Sequence, residues 1–133
     1  MSERGGAGER NLTGIWNGLY TYPDGRSTSF VATLIDSGGS LSGTTHEPGF
    51  LGRTLYASLL GSRNDAAVGF TKTYDRGGLL HRRPIVYEGT LNGDATEIEG
   101  RWIIKKVWSG KFMMVRSGNQ AASVERRAVE RVR

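Results

Sequence analysis

The 133-residue chain has no cysteine and only three prolines. Without cysteine there is no disulfide framework, thiolate metal site or thiol nucleophile, and a reducing cytoplasm suits such a composition. No apolar run is long enough to cross a bilayer as a helix, and Met1–Arg10, MSERGGAGER, lacks the apolar core of a secretory signal. The expectation is therefore a cytoplasmic protein without a membrane partner. Histidine is also scarce: His46 and His81 have no matching third ligand, so neither a metal nor any other cofactor is expected. Gly-x-Ser-x-Gly and phosphate-loop patterns are missing too. His46 and Glu47 are neighbours on an extended stretch and point to opposite faces, so they cannot easily share an acid–base site. The chain reads as a protein that is not an enzyme.

Glycine, by contrast, is abundant. Twenty glycines punctuate short runs of strand-forming residues, which argues for an all-β body with many turns. The length fits one domain, large enough to bury a core without covalent staples. Residues 1–10 read as a disordered segment, 11–118 as a β-barrel domain and 119–133 as a tail. The net charge of +5 could suggest a nucleic-acid partner. Its distribution speaks against one, because Arg126, Arg127, Arg131 and Arg133 place part of the excess in the tail. The remaining paired cations, Arg82-Arg83 and Lys105-Lys106, read as solvated faces.

Asn11–Tyr22, NLTGIWNGLYTY, opens the body. At period two, Leu12, Gly14, Trp16, Gly18, Tyr20 and Tyr22 share one face, a row of bulky aromatics and glycines suited to lining an interior. Glycine two residues before Trp16 lets the indole lie across the end of a small barrel. Further strands are expected at Ser27–Ile35, Ser40–Glu47, Arg53–Leu60, Ala66–Tyr74, Pro84–Leu91, Ile98–Trp108 and Lys111–Arg116, separated by turn chemistry such as Pro23-Asp24-Gly25 and Asn92-Gly93-Asp94. Eight strands in succession suggest an up-and-down antiparallel β-barrel, which removes exposed edges; a sandwich is the alternative. Gln120–Arg133 places Ala121, Val124, Ala128 and Val132 at helical spacing, giving a short amphipathic helix or a disordered tail.

A barrel of this size is either filled by its own side chains or holds one small ligand. Inward-facing Trp16, Tyr74, Tyr87 and Trp102 would form an apolar wall, with Asn17, Thr45, Glu47 and Lys72 as polar contacts. Parity puts Lys72 beside Val68, Phe70 and Tyr74, so its ammonium either reaches the rim or pairs with Glu47 inside, which would favour a polar or charged ligand. A filled barrel working through its outer surface and basic tail is the competing reading. Apolar residues on both faces of strands, as at Val31 and Ile35, point to a homo-oligomer, dimer or tetramer.

Several segments together resemble the avidin and streptavidin family, and the wider calycin class that includes lipocalins. Asn11–Gly18 resembles that family's opening Gly-x-Trp strand, Gly39–Glu47 its Leu-x-Gly-Thr strand, Val68–Asp75 its Gly-aromatic strand, and Val86–Ile103 its aromatic-x-Gly strand, turn and Ile-x-x-x-Trp strand. The resemblance covers residues 11 to 116 and implies an eight-stranded barrel, paired or tetrameric through outer strand faces, with a ligand at the open end. Tyr74, Tyr87 and Trp102 stand where the family places its aromatic box, and Asn17 near its first-strand asparagine. Thr45 replaces the third-strand tyrosine, Glu47 the serine beyond it, and the eighth strand offers no aspartate. A buried urea leaves each missing partner desolvated at a cost of about 1–3 kcal/mol, so the implied ligand is a small molecule other than biotin.

Overall fold

The computed structural model describes residues 11–75 and 83–117. Its strands are β1 (Gly14–Thr21), β2 (Ser27–Ser37), β3 (Ser40–Pro48), β4 (Thr54–Asn64), β5 (Ala67–Tyr74), β6 (Ile85–Leu91), β7 (Glu97–Ile104) and β8 (Trp108–Arg116). Each is antiparallel to its sequence neighbour, and β8 returns to β1, closing an eight-stranded up-and-down barrel. The sandwich alternative is not formed, since β1 bonds to β2 on one side and β8 on the other, leaving no edge. Expectations for residues 1–10, His81 and the tail beyond Ser117 lie outside the described residues, of which no helix is long and apolar enough to cross a membrane.

Local chemistry accounts for the turns. After β1, Gly25 takes a positive φ of 92° and donates its amide to the Tyr22 carbonyl at 2.9 Å. After β6, Asn92 Oδ1 accepts from the amides of Thr96 and Glu97 at 2.8 and 2.9 Å, so the turn extends past Asp94 and β7 starts at Glu97. Two expected boundaries are corrected. β4 does not end at Leu60: Gly61 continues the ladder, facing Leu41 on β3 and Phe70 on β5. The seventh strand does not reach Trp108 either. The chain turns at Lys105–Val107, with Lys106 at φ 63° and the Val107 amide donating to Ile104, and Trp108 begins β8. That turn contains no glycine, proline or asparagine, so composition gives it no mark.

Alternation puts one side chain in two inside. On β1 the row Trp16, Gly18, Tyr20 climbs from one end of the barrel toward the other and continues to Tyr22. The lower end is shut. Trp16 is fully buried there, its indole Nε1 donating to the Leu12 carbonyl at 2.9 Å, and the Arg116 guanidinium lies 4.8 Å from its ring. Asp36 fastens the same end, accepting from the amides of Leu12 (3.0 Å) and Gly39 (2.8 Å) and from Arg63 Nε (2.7 Å). Together with Trp16, residues Leu34, Leu41, Leu59, Val68, Leu91, Ile98 and Met114 belong to one buried cluster that fills the barrel. Gly18 is part of how it fills, because a Cβ there would collide with the Phe30 ring.

Candidate functional site

At the opposite end the barrel is open. A cavity of about 1080 Å³ lies between the turn after β1, the Pro48–Arg53 connection and the turn between β7 and β8. Its wall is aromatic. Tyr22 and Trp102 meet edge-on with centroids 5.7 Å apart, Tyr22 and Trp108 lie at 5.1 Å, and Tyr20 and Trp102 at 6.1 Å. Leu55, Ile104 and Val107 complete the apolar surface. Trp102 is held by its own polar atom, Nε1 donating to the Thr21 carbonyl at 2.8 Å. Gly110, across the β7–β8 ladder from Trp102, makes that orientation possible, since a Cβ would stand 2.5 Å from the indole nitrogen.

The floor is polar and already satisfied. Glu47 Oε1 accepts from Lys72 Nζ at 2.6 Å and from the Tyr74 hydroxyl at 2.9 Å, and Oε2 accepts from the Tyr20 hydroxyl at 2.5 Å. Lys72 is fully enclosed, its ammonium 4.7 to 5.8 Å from the ring centroids of Tyr20, Phe30, Tyr74 and Tyr87. Burial pushes the lysine below its usual pKa, and the Glu47 carboxylate opposes that shift. Burial first, then neighbouring Tyr74 and Glu47, raises the Tyr20 hydroxyl; burial and Glu47 raise that of Tyr74. Both phenols therefore stay protonated at neutral pH and remain donors to Glu47. Beneath them Phe70 stacks on Tyr87 at 5.0 Å, and Phe112 meets Tyr87 edge-on at 4.9 Å.

The comparisons with known proteins speak to this architecture. No family model and no curated protein matches the chain. Solved structures do. A redesigned β-barrel aligns with TM-score 0.69 and 16% identity over 80% of this chain and 92% of its own. A de novo designed fluorescence-activating β-barrel aligns with TM-score 0.62 and 13% identity over 84% of this chain and 98% of its own. EF1p2_mFAP2b, solved bound to DFHBI, aligns with TM-score 0.66 and 14% identity over 84% and 98%. At these identities the likeness is one of fold.

Of the side chains expected at a site, Glu47, Tyr74, Tyr87 and Trp102 line the cavity. Four others are placed elsewhere. Trp16 belongs to the shut end, where glycine-spaced packing put it. Asn17 points outward by parity, next to Val31 and Val115 in the ladders, on a shallow outer groove with His46. Thr45 lies one inward position deeper than Glu47, buried, with its hydroxyl oxygen unpartnered. Lys72 is sealed behind the carboxylate it pairs with. His46 and Glu47 face opposite sides of β3, as parity requires, the histidine exposed and packed near Tyr56. Sequence reasoning missed Tyr20 and Tyr22, although both stood on the aromatic row of β1. It also missed Trp108, hidden by the misplaced turn, and the rim cations Arg26, Arg53 and Arg83. Among the described residues no group of three His, Asp or Glu side chains could hold a metal.

Proposed function

We propose that this chain is a non-catalytic binding protein that takes a small, largely apolar molecule into the mouth of its barrel. The observation that carries this reading is the aromatic cavity of about 1080 Å³ above the hydrogen-bonded Glu47 cluster. Filling stops at the Glu47–Lys72 layer, so the barrel is packed below and open above. This favours a binding pocket over a scaffold with a filled interior. Such a cavity falls within reach of drug-sized ligands, which bind mainly by burying apolar surface against aromatic walls. That similar barrels include one named as fluorescence-activating and one bound to DFHBI supports the fold's suitability for this task. The avidin-like resemblance enters at the level of the shell only, because the polar groups at the floor are turned to one another. Self-association belongs to the same reading, supported by exposed Ile35 and Leu60, which flank Ser42 across neighbouring strands on the outer wall. A cytoplasmic location is supported by the lack of cysteine.

The test is titration with N-phenyl-1-naphthylamine, a neutral fluorophore that brightens in apolar sites, following energy transfer from tryptophan. Saturable binding with one site per chain, weakened in Trp108→Ala, is expected. A native barrel that binds neither this probe nor any member of a small-molecule library would overturn the proposal.

A further inference from the structure

Resting on the pocket reading, the charge around the mouth narrows the ligand. Arg26, Arg53 and Arg83 line the cavity, and Lys105 and Lys106 sit in the turn that carries its wall residues Ile104 and Val107. Acidic groups among the described residues do not balance them. Asp24 is committed to Arg26 at 2.7 Å, and Asp75 lies near the Ser58 hydroxyl at 3.4 Å, beyond the outer wall of β4. Among the described residues neither Arg53 nor Arg83 has an acidic partner. Glu47 is the only carboxylate among the described residues that lines the cavity, and Lys72 and two phenols already occupy it.

Each ligand charge type meets this arrangement differently. A cation would be repelled at the rim and would find at the floor a carboxylate already neutralised by Lys72. An anion driven to the floor would face the Glu47 carboxylate, and the Lys72, Tyr20 and Tyr74 donors there are already given to Glu47. An anion left at the rim meets the Arg53 and Arg83 guanidinium groups, whose planar forks suit carboxylate or sulfonate oxygens. The aromatic wall between rim and floor accepts an apolar body.

We infer that the ligand is an amphipathic organic anion, its flat apolar body inside the barrel mouth and its carboxylate or sulfonate held at the rim by Arg53 and Arg83. The anion's approach is then also steered by the cationic mouth.

Two probes with one ring system separate this inference from the pocket itself. N-Phenyl-1-naphthylamine is neutral, and 8-anilinonaphthalene-1-sulfonate adds a sulfonate to the same body. The wild-type protein is expected to bind the sulfonate more tightly, by about fivefold for each guanidinium engaged. That preference should shrink as salt rises from low to physiological levels. Arg53→Ser with Arg83→Ser should abolish it, so that the two probes then bind with similar affinity. Lys111→Ser, on the outer wall, should alter neither. Circular dichroism confirms that each variant is folded. Equal or weaker binding of the sulfonate by wild-type protein, or a preference that survives loss of both arginines, overturns the anion assignment and leaves the pocket standing. Failure of both probes to bind a folded barrel overturns this inference, and failure of the small-molecule library as well overturns the pocket reading.

Discussion

Lys72 Nζ stands 2.6 Å from Glu47 Oε1, with the two side chains only 1% and 2% exposed, and this pair marks the boundary between the packed and the open halves of the barrel. Either charge alone would be untenable at that depth. Lys72→Met therefore leaves a buried carboxylate with two phenolic donors and no counter-charge, and should cost about 3 kcal/mol of stability. Combining it with Glu47→Gln should cost clearly less than the sum of the two single changes, because the double variant leaves no unpaired charge in this layer. Urea unfolding of the four proteins measures the coupling, and additive losses would show that the two side chains act independently.

The two tryptophans of the mouth should separate structure from binding. Trp102 is buried, hydrogen-bonded to Thr21 and packed against Tyr20 and Tyr22, so Trp102→Ala should lose about 3–5 kcal/mol. Trp108 is 41% exposed and presents its ring to the cavity. Trp108→Ala should unfold within about 1 kcal/mol of wild type while weakening a neutral apolar probe severalfold. Thermal unfolding paired with fluorescence titration makes the comparison. Equal destabilisation by both changes would mean that Trp108 is core as well.

This contrast shows which features the chain makes legible. Period-two alternation and glycine-rich turns were enough to read an eight-stranded barrel and the inward positions of Glu47, Tyr74, Tyr87 and Trp102, because register in a closed sheet follows side-chain parity. Height along the barrel axis does not. Trp16 and Tyr20 share a face of β1 and differ only in depth, one sealing the shut end and the other capping the floor of the cavity. Depth depends on the stagger between strands, which neither composition nor alternation encodes. Lys72 was legible as an inward cation, whereas its enclosure by four aromatic rings follows from three-dimensional closure alone. The rim arginines escaped because they lie at turns, where parity carries no information.

Two inward glycines should prove intolerant of a methyl group. At Gly18 a Cβ would enter the space of the Phe30 ring, and at Gly110 it would press on the Trp102 indole. Neither neighbour is a flexible chain end, so each alanine substitution should cost about 1–3 kcal/mol through overpacking. The signatures differ. Gly18→Ala should be partly relieved by Phe30→Leu, which vacates the contested space, while Gly110→Ala should also perturb probe binding by displacing the wall of the mouth. Full stability in Gly18→Ala would show that the Phe30 ring can move aside without loss.

Asp36 should set part of the protein's acid limit. Burial alone would raise its pKa, but the Arg63 guanidinium and the amides of Leu12 and Gly39 more than offset this and hold the carboxyl below the usual range. The unfolded chain therefore takes up a proton at this side chain near pH 4, before the folded protein does. Its contribution is present in full above about pH 4 and is lost as pH falls from there through the lower folded value. Asp36→Asn should be less stable at pH 7, since Arg63 loses its partner at the shut end, but its stability should fall less steeply in acid. Urea midpoints measured from pH 7 down to about pH 2 test this. Wild-type and variant curves running parallel through the acid range would assign the acid sensitivity to other carboxyls. Curves that converge would place it at the latch joining Leu12, the β2–β3 turn and β4, opposite the open mouth.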